Sequence, residues 1–327
     1  MTVTVSVLAD RPDLVEPLWN MHSSWPTFMT KDPIGSMYFD PAIFELFADH
    51  VLVCQEEAGA VVGKAVSIPF HLPDATALPA DGWDGAIRRG ISTRLTGETA
   101  NVVSALEISL TSSSQGRNLS MSLLAALRDN AGRQGFSELV APLRPNGRTD
   151  LDEPIASYIH RTRPDGLPID PWLRVHVRAG GRIDSVAPRS MVVPGTLDEW
   201  REWTGLPFDR SGPVHVPGAL VPVIADVEQG TAVYTEPNVC VRHPTAARPR
   251  ASSMRSSWAN PRGPLDSTHR RNWTGRPSPR PTRRIPRSNR PRASPQRRRA
   301  GPRSASPANR KCCPRHGRRM EGRTPSP

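Results

Sequence analysis

One acidic residue in an otherwise apolar segment is the clearest candidate for proton chemistry. The segment SALEISL, residues 104–110, predicts a strand, and its alternation places the side chain of Glu107 with Ala105 and Ser109 and opposite Leu106. A carboxylate in this setting could take a proton from an amine through a water molecule. The alternative is that Glu107 simply belongs to the polar face of the strand.

A small polar loop and a helix follow this strand in the stretch LTSSSQGRNLSMSLLAALRDNAGRQGF, residues 110–136. The leucines of the second half recur at helical spacing. The free backbone N–H groups at a helix start, together with the helix dipole, attract anions. Arg117 adds a positive charge. The loop therefore predicts either an anion cradle or an ordinary turn before a helix.

These residues must be positioned by a larger set of elements. Residues 102–143 predict a strand, a helix and a second strand, which form one crossover unit. Further strands are predicted at 2–8, 50–55, 61–70 and 182–193, with a hairpin of 219–227 and 232–242. Helices are predicted at 12–20, 41–49, 155–161 and 171–179, and one holding Trp200 and Trp203 is capped by Thr196 or Asp198. Residues 21–40 and 72–86 are predicted loops.

The order of these elements, together with Gln-Gly-Arg-Asn-Leu-Ser at 115–120, resembles the GCN5-related N-acetyltransferase (GNAT) superfamily. Its acetyl-CoA motif is Gln/Arg-x-x-Gly-x-Gly/Ala. Gln115 matches the first position. Asn118 stands at the fourth position, where the family has Gly, and Ser120 stands at the sixth, where it has Gly or Ala. Asn tolerates left-handed backbone angles better than other non-glycine residues. The segments VSALEI, RDNA, ELVAPLRPN and DPWLRVHVRAGG also resemble a poorly characterised branch of the superfamily.

The resemblance implies an α/β (α+β) fold with a mixed, mostly antiparallel central sheet and helices on both faces. It also implies acetyl-CoA as co-substrate and an amine as acceptor. The implied cofactor contacts are Ile108, Ser109, Leu110, Gln115, Gly116, Arg117, Asn118, Leu119, Ser120 and Asn146. Asn146 has an alternative role as a turn former before Gly147.

The family often places a tyrosine acid four residues before the glycine that ends its last helix, and His176 occupies that position here. A protonated imidazole could act as the general acid. His176 could equally be a helix residue near a C-terminus, where a cation is favoured. Tyr158 is the alternative acid, or a partly buried helix aromatic. The acceptor is expected between residues 19–38 and the loops after 144.

Trp25, Phe28 and Met29 are candidates for lining the acceptor site, and the alternative is that they pack under a long loop. Trp200 and Trp203 are expected to be structural. The cysteine spacing and the absence of motifs such as HExxH predict no metal site, and Cys54 and Cys240 are expected to be buried thiols. No apolar run is long enough to predict a membrane span, and a cytoplasmic location is expected.

The charge is divided unevenly between two parts of the chain. Residues 1–243 carry 20 Lys and Arg against 29 Asp and Glu, and residues 244–327 carry 23 against 2. The first part predicts a GNAT-like domain with a core of 1–193 and a helix and hairpin at 194–243. The second part, rich in Arg and Pro, predicts a disordered tail.

The tail allows two interpretations. Its arginines, with Trp258 and Trp273, could bind nucleic acid. Alternatively, the tail could be the product of a shifted reading frame in GC-rich DNA. For the whole chain, the leading hypothesis is an acetyl-CoA-dependent N-acetyltransferase with an unknown amine acceptor. A catalytically inactive CoA-binding or partner-binding module of the same fold is the alternative.

Overall fold

The computed structural model describes residues 3–21, 25–151 and 153–246. The predicted tail therefore lies outside the described residues, apart from its first three positions. Within the described part, the strands are β1 (Val3–Val7), β2 (Val51–Glu56), β3 (Val61–Phe70), β4 (Val102–Leu110), β5 (Glu138–Leu143), β6 (Arg182–Thr196), β7 (Gly212–Val214), β8 (Val223–Asp226) and β9 (Thr231–Pro244). The helices are α1 (Val15–Trp19), α2 (Pro33–Tyr38), α3 (Pro41–Phe44), α4 (Gly82–Thr96), α5 (Leu119–Arg133), α6 (Ile155–Tyr158), α7 (Pro171–Arg178) and α8 (Leu197–Thr204).

Several helices begin at signals that are readable in the sequence. Asp32, Asp40 and Asp170 each precede a proline, and the carboxylate of each accepts hydrogen bonds from the first backbone N–H groups of its helix. Helix α8 begins at a capping box in which Thr196 and Glu199 satisfy each other's backbone N–H groups. These caps explain why α7 and α8 begin where the sequence predicts.

The strands form one sheet in the order β1-β2-β3-β4-β5-β9-β8-β7, with β6 paired along the other edge of β9. Strands β4 and β5 pair in parallel, and the other pairings are antiparallel. The mixed, mostly antiparallel sheet is thus confirmed. Because β9 pairs with β5, residues 194–243 share a sheet with residues 1–193.

Helices cover both faces of the sheet, as the sequence predicts. Alternate residues of β2 show the two faces, because Val51 and Val53 join one apolar cluster, whereas Leu52 and Cys54 join the other. The first cluster includes side chains of α1, α2, α4 and α8, and the second includes those of α5 and α7. Cys54 and Cys240 are free and buried, as expected.

Two predicted loops contain helices. Residues 21–40 include α2, and residues 72–86 run into the fifteen-residue helix α4. Pro, Asp and Gly suggested a loop in the second segment, but Gly82 and Gly85 lie in the first turn of α4. A Cβ atom at Gly90 would lie 2.3 Å from Cδ1 of Ile68 on β3. The glycine therefore lets α4 lie directly on the sheet.

None of the helices that the structure describes is long and apolar enough to cross a membrane.

Candidate active site

Strands β4 and β5 diverge after a short parallel contact. Their register consists of Val103 opposite Leu139 and Ser104 opposite Val140, although both strands continue beyond these pairs. Beyond Ser104, β4 is not paired with β5 in the described part of the chain. The strand cavity, about 140 Å³ in volume, lies at this divergence. Its lining includes residues of both strands, together with Trp25, Met29, Trp83, Trp172, His176, Met191, Glu236 and Asn238.

Glu107 reaches this cavity because β4 contains a bulge. Val66 pairs with Glu107 and Ser67 pairs with Ala105, so that Leu106 is an extra residue on β4. The carbonyl of Leu106 accepts a hydrogen bond of 2.9 Å from Nε1 of Trp83 on α4. The bulge breaks the simple alternation expected for this strand. Leu106 packs in the α4-side cluster, whereas Ala105 and Ile108 both pack in the opposite one. Glu107 precedes Ile108 and therefore points to the face opposite Ala105, so the expected pairing of Glu107 with Ala105 is wrong.

Two neighbours hold the carboxylate of Glu107, which is only 8% exposed. Nζ of Lys64 on β3 lies 3.1 Å from Oε2, and Oγ of Ser109 donates a hydrogen bond of 2.5 Å to Oε1. Lys64 was not among the residues predicted from the sequence. The signal that could have indicated it is a lone lysine in an apolar strand. Only the β3–β4 register, in which Lys64 pairs with Ser109, brings it to Glu107.

A second cavity adjoins the first one at Glu107. This aromatic cavity has a volume of about 370 Å³. Its lining is rich in aromatic, methionine and charged side chains, and consists of Trp19, Met21, Trp25, Met29, Thr30, Asp32, Gly35, Ser36, Phe39, Lys64, Trp83 and Glu107. The two cavities share Glu107 together with Trp25, Met29 and Trp83. A base at Glu107 could therefore act on groups placed in either cavity.

Of the three side chains expected to line an acceptor site, Trp25 and Met29 line both cavities. Phe28 lines neither of them. It is 2% exposed and packs against the rings of Trp200 and Tyr234. Phe28 is therefore a core residue. Trp200 is structural as expected, because it is fully buried and its Nε1 donates to the carbonyl of Ala232.

A pair of buried carboxyl groups lies at the aromatic cavity, where Asp32 belongs to the lining and Asp84 does not. Oδ1 of Asp32 caps α2, and Oδ2 of Asp84 on α4 accepts from the backbone N–H of Val192. Burial, and then the charge of Asp32, raises the pKa of Asp84 to about 8. Burial also raises the pKa of Asp32. The pair therefore retains a proton at neutral pH, which removes one of the two negative charges.

The loop after β4 has the backbone shape that an anion cradle needs. Asn118 adopts φ 59° and ψ 11°, and Gly116 adopts φ 75°. Asn118 thus takes the left-handed conformation for which glycine is the usual residue. The backbone N–H groups of Gly116, Asn118 and Leu119 find no acceptor within the described part of the chain. They remain available to an anionic ligand at the start of the fifteen-residue helix α5.

Most of the other predicted cofactor residues surround this loop or its strand. Gln115 and Arg117 are exposed, and Arg117 also lies 3.3 Å from Glu56. Ser120 is half-buried in the first turn of α5, and Leu119 is buried. On β4, Ile108 lines the strand cavity, whereas Leu110 packs beside α5. Binding by these residues stays a prediction.

Asn146 lies outside the lining of the strand cavity. Its Oδ1 accepts from the backbone N–H of Trp172, and its own N–H donates to Oδ2 of Asp170. The side chain thus helps to cap α7. This arrangement matches the turn and capping role more closely than the pantetheine contact that the family resemblance implies, and a role in cofactor binding stays a prediction.

His176 lines the strand cavity, in which it joins Glu107. Its Nδ1 lies 2.8 Å from Nε2 of His243. Burial, and then the neighbouring His243, lowers the pKa of His176 to about 3. Burial therefore favours the neutral ring at physiological pH, which argues against a protonated imidazole as the general acid, and a catalytic role of His176 stays a prediction. Desolvation outweighs the favourable position near the end of α7.

Tyr158 is not brought to either cavity. Its hydroxyl donates a hydrogen bond of 3.1 Å to Oδ2 of Asp170, and the ring is 4% exposed. Burial, and then the charge of Asp170, raises its pKa to about 12. The hydroxyl therefore helps to hold the cap of α7, as expected for a buried helix aromatic, and it lies outside the group formed by Glu107 and His176.

The chain was compared with known proteins. No family model matches it. Arginine N-acetyltransferase avaD from Aspergillus versicolor is 32% identical over 272 residues, which cover 74% of this chain and 93% of that protein.

Solved structures with a similar shape include the loading GNATL domain of CurA from Lyngbya majuscula, with a TM-score of 0.47, 17% identity, and coverage of 75% of this chain and 98% of that one. A phosphinothricin acetyltransferase from Sinorhizobium meliloti, solved in complex with AcCoA, has a TM-score of 0.36 and 14% identity, and covers 79% and 98% of the two chains.

The sheet with its diverging strands and the extent of the match to a named acetyltransferase define the class. The chain belongs to the GCN5-related N-acetyltransferase superfamily. Within that superfamily it is an enzyme, an N-acetyltransferase.

Proposed function

We propose that the chain transfers an acetyl group from acetyl-CoA to an amine of a cationic acceptor of the arginine type. The observation that carries the proposal is the position of Glu107, whose side chain lines both the strand cavity and the aromatic cavity. One residue can then serve a thioester in the first cavity and an amine in the second. The relative named for arginine supports the choice of acceptor.

The loop after β4 and the edge of β4 that is not paired with β5 would hold the co-substrate. The backbone N–H groups of Gly116, Asn118 and Leu119 would bind the pyrophosphate, with the N-terminal dipole of α5 and the charge of Arg117 in support. The unpaired edge of β4 would bind the pantetheine arm where β5 has diverged. The thioester would then lie in the strand cavity beside Glu107.

The aromatic cavity suits a cationic acceptor for two reasons. Trp19, Trp25 and Trp83 present ring surfaces that attract a cation, and Glu107 supplies a carboxylate. The volume of about 370 Å³ lies within the range of about 300–1,000 Å³ that is usual for small-molecule sites. A guanidinium group could lie between the rings while an amine approaches Glu107.

Glu107 would act as the general base. An amine attacks a thioester only in its neutral form, so an ammonium group must first lose a proton to the carboxylate, directly or through water. The ion pair with Lys64 and the hydrogen bond from Ser109 fix the carboxylate for this transfer. As the new C–N bond forms, the C–S bond breaks, and the departing thiolate takes up the further proton that the attacking nitrogen loses when it becomes an amide.

The proposal is tested on the full chain by calorimetry with acetyl-CoA, followed by a thiol-release assay with arginine and a panel of neutral and cationic amines. Glu107→Gln should retain acetyl-CoA binding and lower kcat about 100-fold or more, because a general base contributes about 10²–10⁴-fold. Glu202→Gln on the exposed face of α8 is the matched control and should behave as the native chain.

Failure to bind acetyl-CoA would refute the choice of donor. Release of thiol with neutral amines but not with arginine or other cations would refute the choice of acceptor. An unchanged kcat in Glu107→Gln would refute the role of the base and leave the overall reaction standing.

A further inference from the structure

Two buried histidines meet at the wall of the strand cavity. His176 on α7 and His243 on β9 are 67 positions apart in the sequence, and Nδ1 of His176 lies 2.8 Å from Nε2 of His243. The two residues are 1% and 0% exposed. The sequence predicted a role for His176, whereas His243 was expected only to end the domain.

Packing fixes both rings. The ring of Trp172 meets His176 edge-on, with centroids 4.7 Å apart and an interplanar angle of 82°. On the other side, a Cβ atom at Gly181 would lie 2.5 Å from Cε1 of His243, so only glycine leaves room for this ring. The hydrogen bond between the histidines is therefore held in a single geometry.

One proton occupies the hydrogen bond between the two rings, because both are neutral. Burial lowers the pKa of His176 to about 3 and that of His243 to about 4. In one arrangement, His176 Nδ1–H donates, which leaves an N–H on His243 Nδ1 and a lone pair on His176 Nε2. In the other arrangement, His243 Nε2–H donates, and His176 carries its proton on Nε2.

The surroundings favour the second arrangement. Nδ1 of His243 and Nε2 of His176 are both buried without a hydrogen-bond partner among the described residues, so each arrangement leaves one N–H unpaired. His176 lines the strand cavity, where a bound ligand or water can accept from this N–H, whereas His243 lines neither cavity. A buried N–H without an acceptor is rarer and costlier than an unused lone pair. The neutral ring of His176 then carries its proton on Nε2.

We propose that His243 is a positioning residue that holds His176 with its Nε2–H available to the strand cavity, where this donor stabilises the negative charge that develops on the thioester during attack. Nε2 of His176 is buried, has no partner among the described residues, and belongs to a side chain that lines the cavity with Glu107. A neutral imidazole can stabilise such charge by donating a hydrogen bond without giving up its proton. The inference rests on the proposed acyl transfer for its consequence and on the histidine pair for its geometry.

The tautomer is tested directly by long-range ¹H–¹⁵N NMR correlation of ring-labelled full chain at neutral pH. We expect the His176 signals to report a protonated Nε2 and an unprotonated Nδ1. The opposite pattern would overturn the proposal. This measurement requires no turnover, so it stands apart from the outcome of the activity assays.

The kinetic test compares three substitutions. His243→Leu removes the donor to His176 and should lower kcat about 10–100-fold, the range for loss of a partner that orients a functional histidine. The KM for the acceptor should not change. His243→Gln places an amide N–H near the former Nε2 and should recover most of the loss.

His50→Leu is the matched control, because His50 is another buried histidine, 2% exposed, which lines neither cavity. It should retain the native kcat. A His243→Leu variant with native kcat would overturn the proposal, as would equal losses at positions 50 and 243. If no variant of the chain releases thiol, the proposed acyl transfer fails, while the NMR result still decides the tautomer.

Discussion

His50 allows a quantitative test of how burial controls the acid stability of this chain. It ends the short 3-10 segment before β2, and neither ring nitrogen has a hydrogen-bond partner among the described residues. Burial alone lowers its pKa to about 3. We expect His50→Leu to lose less stability than the native chain when the pH falls from 8 to 5.

The sign follows from proton binding. A histidine in the unfolded chain titrates near pH 6.5, so between about 6.5 and 3 the unfolded chain holds a proton on this ring that the folded chain does not. Acid therefore favours unfolding. At pH 5 the difference amounts to about 2 kcal/mol relative to pH 8. This magnitude hardly depends on the folded value, because at pH 5 the folded ring is already neutral.

The assay is urea unfolding of the native chain and of His50→Leu at pH 8 and at pH 5. The decrease in unfolding free energy should be smaller in the variant by about 2 kcal/mol. His160→Leu, on an exposed residue after α6, is the matched control and should follow the native chain. Equal decreases in the native chain and in His50→Leu would show that His50 is not held neutral by the fold.

Three further outcomes follow from the described contacts. Asp84→Asn should stabilise the chain by an amount that grows from pH 4 to pH 8 and reaches a few kcal/mol, as measured by urea unfolding, because the folded chain keeps a proton on Asp84 that the unfolded chain has lost. In calorimetry, Asn118→Gly should leave acetyl-CoA affinity nearly unchanged because Asn118 is already left-handed, whereas Asn118→Val should weaken it about 5–30-fold. Trp83→Phe removes the donor to Leu106 at the bulge and should lower kcat in the thiol-release assay more than acetyl-CoA affinity; an unchanged kcat would show that the bulge holds Glu107 without it.

Local signals accounted for much of the fold. The crossover unit of β4, α5 and β5 was predictable because its strand and helix periods are regular and its helix ends in glycines. The start of α7 was predictable because Asp170 and Pro171 form a cap that acts on the adjacent residues. Helix α4 was missed because Pro, Asp and Gly in residues 72–86 indicate a turn locally. The close approach of Gly90 to β3, which favours glycine in this helix, depends on residues distant in the sequence.

The candidate site was only partly readable. Glu107 was selected because a charge in an apolar strand is unusual, but alternation gave it the wrong companion, since a bulge is set by pairing between strands. The resemblance indicated His176, and the pattern suggested that it could be charged. Its neutrality depends on burial, which a linear pattern does not specify.

The sequence by itself determined the helix caps, the strand periods, the loop that places Asn118 at the start of α5, and the family to which these belong. The tertiary structure alone decided that Lys64 forms an ion pair with Glu107, that the buried carboxyl group of Asp84 lies near that of Asp32, and that His243 contacts His176. The physical reason is distance along the chain. Caps and periods act between near neighbours, whereas these pairs join distant segments whose register and depth are set only when the sheet assembles.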